Sequence, residues 1–152
     1  MSKVAVIAGS KSDKLFIDEC QKYLEYFGIE YETRFLSAHR NSEEVRNFSL
    51  SLEENGFTCV IAMAGMAAHL PGVMASMTSI PVIGVPLNAS SLGGLDAALS
   101  ILQMPAGIPV ATMALDKAGA RNSAVMAAKI IALQDAEVKN KLNEFKNNGF
   151  KI

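Results

Sequence analysis

Five short apolar runs recur along the chain, and each is followed by a stretch with helical periodicity. "KVAVIAG" (3–9), "FTCVIAMAG" (57–65) and "IPVIGVPL" (80–87) are rich in β-branched residues and apolar on both faces. A strand can tolerate that only when both faces of its sheet are covered, as in a parallel sheet. "IEYETRFLSA" (29–38) and "GIPVATMAL" (107–115) complete the set with weaker patterning. Helices are predicted over 14–28, 41–56, 69–79, 92–104, 120–135 and 135–148. Gly28 and Gly56 serve as stops, Ser42 as an N-cap and Pro71 as a first-turn residue. In 14–28 the inward face is read as Leu15, Cys20, Tyr23, Leu24 and Phe27, and in 135–148 as Val138, Leu142 and Phe145.

Strictly alternating strands and helices make an α/β domain. Right-handed crossovers leave few topologies. The common five-stranded one is a flavodoxin-like three-layer αβα sandwich with a parallel sheet in the order 2-1-3-4-5. A length of 152 residues suits one domain, 1–152. With 50% apolar and 19% charged residues, the composition is that of a folded chain, not a disordered one. A net charge of −1 with interspersed signs gives no footprint for nucleic acid and no basic patch for a membrane. No apolar run is long enough to span a bilayer. "MSKVAVIAGS" lacks the features of a secretory leader, so a cytoplasmic location is expected. Cys20 and Cys59 fit no zinc spacing and are read as buried, reduced thiols.

In such folds ligands bind beyond the carboxyl ends of the strands, where the strand order reverses. Those ends read "GSKSD", "SAHR", "AGMAAHLPG" and "VPLNASS", and both histidines of the chain fall among them. "GSKSD" (9–13) is neither a P-loop nor a dinucleotide fingerprint. Gly9 permits a tight turn, and Ser10 and Ser12 set hydroxyls beside free amides at a helix start, a ready anion site. Asp13 suits a pair of ribose hydroxyls better than a phosphate. A plain capping turn, with Ser12 or Asp13 capping the helix, explains the same residues equally well. In "SAHR" (37–40), His39 can give and take a proton near neutrality, and Arg40 offers a planar fork for a phosphate. A surface His–Arg pair is the plainer alternative. "AGMAAHLPGVMA" is nearly free of polar side chains, so a substrate can approach its backbone closely. There His69 is read as a satisfied structural histidine rather than a direct proton carrier. "NASSLGG" (88–94) either lines the pocket or caps a helix.

Taken in order and spacing, "GSKSD", "SAHR", "AAHLPG", "PVIGVP" and "QMPAGIPV" resemble the N5-carboxyaminoimidazole ribonucleotide mutase family, over about residues 3–135. This is the catalytic-subunit family of phosphoribosylaminoimidazole carboxylase. The resemblance implies transfer of a carboxylate from the exocyclic nitrogen of a ribonucleotide to ring carbon C4 in purine biosynthesis. It implies no metal, no organic cofactor, and a homo-octamer in which the C-terminal helix, about 135–148, packs on a neighbouring subunit. His39 matches the family's acid/base, Ser10 and Asp13 its nucleotide-binding pair, and Arg40 its phosphate contact with Ser37 alongside. Ala67 to Gly72 match the loop over the reacting carboxylate. The expected substrate-binding set is Gly9, Ser10, Ser12, Asp13, Ser37, Ala38, Arg40, Gly65, Met66, Ala67, His69 and Leu70.

This chain departs from the family pattern at Met63 and Met66, where glycine is usual, and at Ala106, where arginine is common. If either glycine position uses positive φ, methionine strains the turn. "AAHLPG" aligns the chain with the mutase branch rather than with direct carboxylation of aminoimidazole ribonucleotide by carbon dioxide. A non-catalytic nucleotide- or flavin-binding module on the same fold would leave the two histidines at strand ends unexplained.

Overall fold

The computed structural model describes residues 2–152. Its elements are β1 (Lys3–Ala8), α1 (Lys14–Tyr26), β2 (Glu30–Phe35), α2 (Ser42–Ser51), β3 (Phe57–Gly65), α3 (Leu70–Ala75), β4 (Val82–Leu87), α4 (Leu95–Leu102), β5 (Ala111–Thr112), α5 (Asp116–Ile131) and α6 (Ala136–Asn147). All strand pairings are parallel, in the order β2-β1-β3-β4-β5, so the fold is the flavodoxin-like α/β sandwich.

The two-sided burial predicted for the central strands is complete. In β1, Val4, Val6 and Ala8 face one core, with α1, α5 and α6, while Ala5 and Ile7 face the other. β3 divides the same way, with Cys59, Ile61 and Met63 on the first side and Val60, Ala62 and Ala64 on the second. Alternation by twos on a sheet covered by helices is what requires both faces to be apolar. Cys20 and Cys59 are free and buried, and burial pushes both thiols up to about 12. Such thiols are unreactive. No helix among the described residues is long and apolar enough to cross a membrane.

Several boundaries differ from the sequence reading. β5 pairs over only two residues, with one further bond from Met113 N to the Gly84 carbonyl. Pro109 has no N–H to donate, and β5 is an edge strand, so little holds the remainder in register. α5 begins at Asp116, four residues before the predicted start. Gly119 stands inside this added first turn. A Cβ there would collide with the Ala114 carbonyl, so the glycine is required by the close approach of the loop before the helix. Asn41, not Ser42, occupies the N-cap of α2, and its side chain instead accepts a bond from Ser37 N at 3.3 Å. Leu15 is exposed, and Ile17 takes its place on the inward face of α1. In α6, Val138 and Phe145 are buried within the chain's own core, where Phe145 meets Tyr23, Tyr26 and Phe27 edge-on or tilted.

Candidate active site

The strand order reverses between β1 and β3, and the loops there diverge to leave a cavity of about 570 Å³. Every residue expected at the site lines it. Two other cavities, of about 730 and 740 Å³, lie along α6 away from both histidines.

The loop after β1 supplies Gly9, Ser10, Ser12 and Asp13. Gly9 N donates to the Met63 carbonyl on β3 at 3.2 Å, which fixes the start of the turn. Ser10 Oγ accepts from Ser12 N at 3.2 Å and shares a 2.8 Å bond with Ser12 Oγ. Ser10 therefore caps a short 3-10 turn over Lys11–Asp13. Asp13 occupies the N-cap of α1 but makes no capping bond with its side chain. The capping explanation thus holds for Ser10 and fails for Asp13, whose carboxylate is left over. Burial pushes this carboxyl above its ordinary range, opposed by the Ser10 backbone amide. A half-buried carboxylate without a cation beside it is an acceptor awaiting donors such as paired hydroxyls.

The loop after β2 supplies Ser37, Ala38, His39 and Arg40. Ser37 Oγ accepts from Arg40 N at 3.2 Å, and Asn41 N donates to the Ser37 carbonyl at 2.8 Å. This tight turn throws His39 and Arg40 outward, both exposed. The Arg40 guanidinium joins none of the ion pairs among the described residues. It is a free fork for an anion.

The loop after β3 supplies Gly65, Met66, Ala67, His69 and Leu70. His69, read from the sequence as a satisfied structural histidine, finds its partner in the other histidine of the chain. It is exposed, and its Nδ1 lies 2.8 Å from His39 Nε2, with ring centroids 4.9 Å apart and planes at 79°. One ring donates and the other accepts, and His39 Nδ1 has no hydrogen-bond partner among the described residues. The strain expected of methionine in this loop falls on one residue only. Met63 is an ordinary buried strand residue, whereas Met66 has φ 57. That left-handed conformation costs a non-glycine residue roughly 1–2 kcal/mol.

Sequence reasoning missed Ala64 and singled out 88–94 without naming a residue there; Ala89 is the one that lines the cavity. Ala89 presses on Gly65, where a Cβ would sit 2.6 Å from its own. Asp116 Oδ1 accepts from Asn88 N at 2.8 Å and pins this loop from the start of α5. Among the described residues no group of three or more His, Cys, Asp or Glu is placed to hold a metal ion.

Small walls, a free guanidinium, an unpaired carboxylate and two touching imidazoles suit a phosphorylated, hydroxyl-bearing substrate on which a proton is moved. Residues 3–151 match the family described as AIR carboxylase. The chain belongs to that family. Among its relatives, a protein of Pyrococcus abyssi named N5-carboxyaminoimidazole ribonucleotide mutase is 47% identical over 97% of this chain and 84% of its own length. An Escherichia coli protein of the same name is 43% identical over 95% of this chain and 86% of its own. The crystal structure of Treponema denticola PurE superposes with a TM-score of 0.89 at 29% identity, covering 98% of this chain and 92% of that one. The AIR carboxylase family therefore accounts for the whole sheet and all the loops around the cavity.

Proposed function

We propose that this protein is an N5-carboxyaminoimidazole ribonucleotide mutase, an isomerase that moves the carboxylate from N5 to C4 in purine biosynthesis. The observation that carries the reading is the 2.8 Å contact between His39 and His69 at the rim of the strand-end cavity. The names of relatives at 43–47% identity support it.

Arg40 holds the phosphate, assisted by the Ser10 and Ser12 hydroxyls, and Asp13 accepts from the ribose hydroxyls. His39 donates a proton to the carbamate nitrogen. The N–C bond breaks, its electron pair stays on that nitrogen, and carbon dioxide is released beside Ala64, Gly65 and Ala67. C4, enamine-like in the aminoimidazole, attacks the confined carbon dioxide, which confinement keeps at high effective concentration. The C4 proton then returns to His39, so no net proton is consumed. His69 orients the His39 ring and shares its proton through His39 Nε2, which leaves His39 Nδ1 free for substrate. The cycle calls on no metal and no organic cofactor.

The working form in this reading is a cytoplasmic homo-octamer. Leu92, just before α4, and Leu95, Leu99 and Leu102 along it are exposed, next to the loop that carries Ala89. Apolar stripes of that kind mark contact surfaces. With Val138 and Phe145 used within the chain, α6 offers a neighbour Leu133 before it and Phe150 and Ile152 after it, all exposed. Light scattering should give the mass of eight 16.2 kDa chains, and a single-chain mass would contradict the assembly.

The deciding experiment adds N5-carboxyaminoimidazole ribonucleotide without ATP and follows the C4-carboxylated product. Formation at an enzyme-dependent rate is expected. Product from aminoimidazole ribonucleotide and bicarbonate only would select direct carboxylation instead.

A further inference from the structure

The cavity walls are small or polar except for two large apolar side chains, the buried Leu70 and the exposed Met66. Met66 lines the cavity and is 58% exposed. The other methionines among the described residues are buried or half-buried. Met66 therefore contributes little to the core, and its left-handed backbone works against folding. Neither packing nor conformational preference accounts for its position. The loop on either side is held firmly. Gly65 is wedged against Ala89, and His69 N donates to the Ala67 carbonyl at 2.8 Å. The strained residue is thus set in a rigid frame beside the histidine pair.

We propose that Met66 is a retaining cover over the carboxylate-transfer end of the cavity, an inference that rests on the mutase reading. Between rupture of the N–C bond and formation of the bond to C4, the migrating group is neutral carbon dioxide. No charge or hydrogen bond holds such a molecule strongly, so apolar closure helps keep it from solvent, and where glycine is usual in the family this chain adds a methionine. A thioether on a flexible chain suits this task, since it swings aside for the nucleotide and settles over it afterwards. Met66 both lines the cavity and is open to solvent, as such a cover must be.

The test runs the reaction in isotopically labelled bicarbonate and counts both label in the C4-carboxylated product and free aminoimidazole ribonucleotide. The wild-type enzyme should transfer its carboxylate with little exchange. Met66→Gly should raise the labelled fraction and the decarboxylated side product about tenfold or more, the scale set by exposing one such side chain. Its Tm should match or exceed the wild type's, because glycine relieves the strain. Met66→Leu keeps the apolar bulk and should hold exchange near the wild-type level. Wild-type retention in Met66→Gly would overturn the cover, as would equal leakage from the glycine and leucine variants. Failure of the wild-type enzyme to convert the N5-carboxylated substrate would instead sink the mutase reading itself.

Discussion

Two clusters of charge in this molecule are built from similar residues and handled in opposite ways. On the helical face, Glu19 of α1 is buried with both oxygens engaged, by Lys22 at 3.0 Å and Arg121 of α5 at 2.7 Å. At the strand ends, Asp13 and Arg40 find no oppositely charged partner among the described residues, and His39 and His69 have only each other. The first cluster is closed, and its hydrogen bonds tie α1 to α5. The second is open, so folding has desolvated Asp13 with only the Ser10 backbone amide to offset it. A native structure tolerates such a deficit where a ligand is to supply the missing partners. The contrast separates charges that hold the fold from charges that the proposed function assigns to substrate.

Variants in the open cluster should damage turnover and spare stability, and variants in the closed cluster the reverse. The largest effect is expected of His39→Asn, with turnover down about 10²–10⁴-fold while nucleotide still binds. Isothermal titration beside a rate assay checks both halves, and near-normal turnover would remove His39 from the chemistry. Arg40→Ala should come next, raising KM about ten- to hundredfold for the loss of a charged hydrogen bond, with little change in Tm. An unchanged KM would count against the phosphate contact. Glu19→Gln should be smallest, costing about 1 kcal/mol, or roughly 2–4 °C in Tm, with turnover intact. The hydrogen bond from Lys22 and then that from Arg121 hold the Glu19 carboxyl below its ordinary range. Its stabilisation is therefore present above the ordinary glutamate range and is lost as pH falls toward the folded-state value. Melting curves of wild type and Glu19→Gln should differ at neutral pH and converge in acid.

The sheet was legible because burial on both faces leaves a plain mark on sequence. β3 runs over the predicted residues, and β1 and β4 lie within theirs. The edge was not. The run that contains β5 looks like a strand by composition, yet pairing depends on neighbours and on donors that Pro109 lacks. The start of α5 was obscured because Gly119 answers to a carbonyl in the preceding loop, a contact no periodicity reveals. At the candidate site the residue types and loops could be read, since polar side chains after apolar strands stand out. What could not be read was their mutual arrangement. His39 and His69 are 30 residues apart and meet only through the strand order. Likewise, composition alone does not tell which of Met63 and Met66 takes the left-handed turn.

The place of β1 has a consequence for the chain's birth. It is the first strand of this sheet to be synthesised, yet it lies between β2 and β3, pairing with residues 30–35 on one edge and 57–63 on the other. At about 5–20 residues per second of synthesis, its second edge waits on the order of seconds for a partner. Through that interval a Val-Ala-Val-Ile-Ala ribbon stands open to pairing with other nascent chains. No fragment that stops before β3 can enclose a nucleotide, so the passage from ribosome to finished sheet is where chaperone protection would count most.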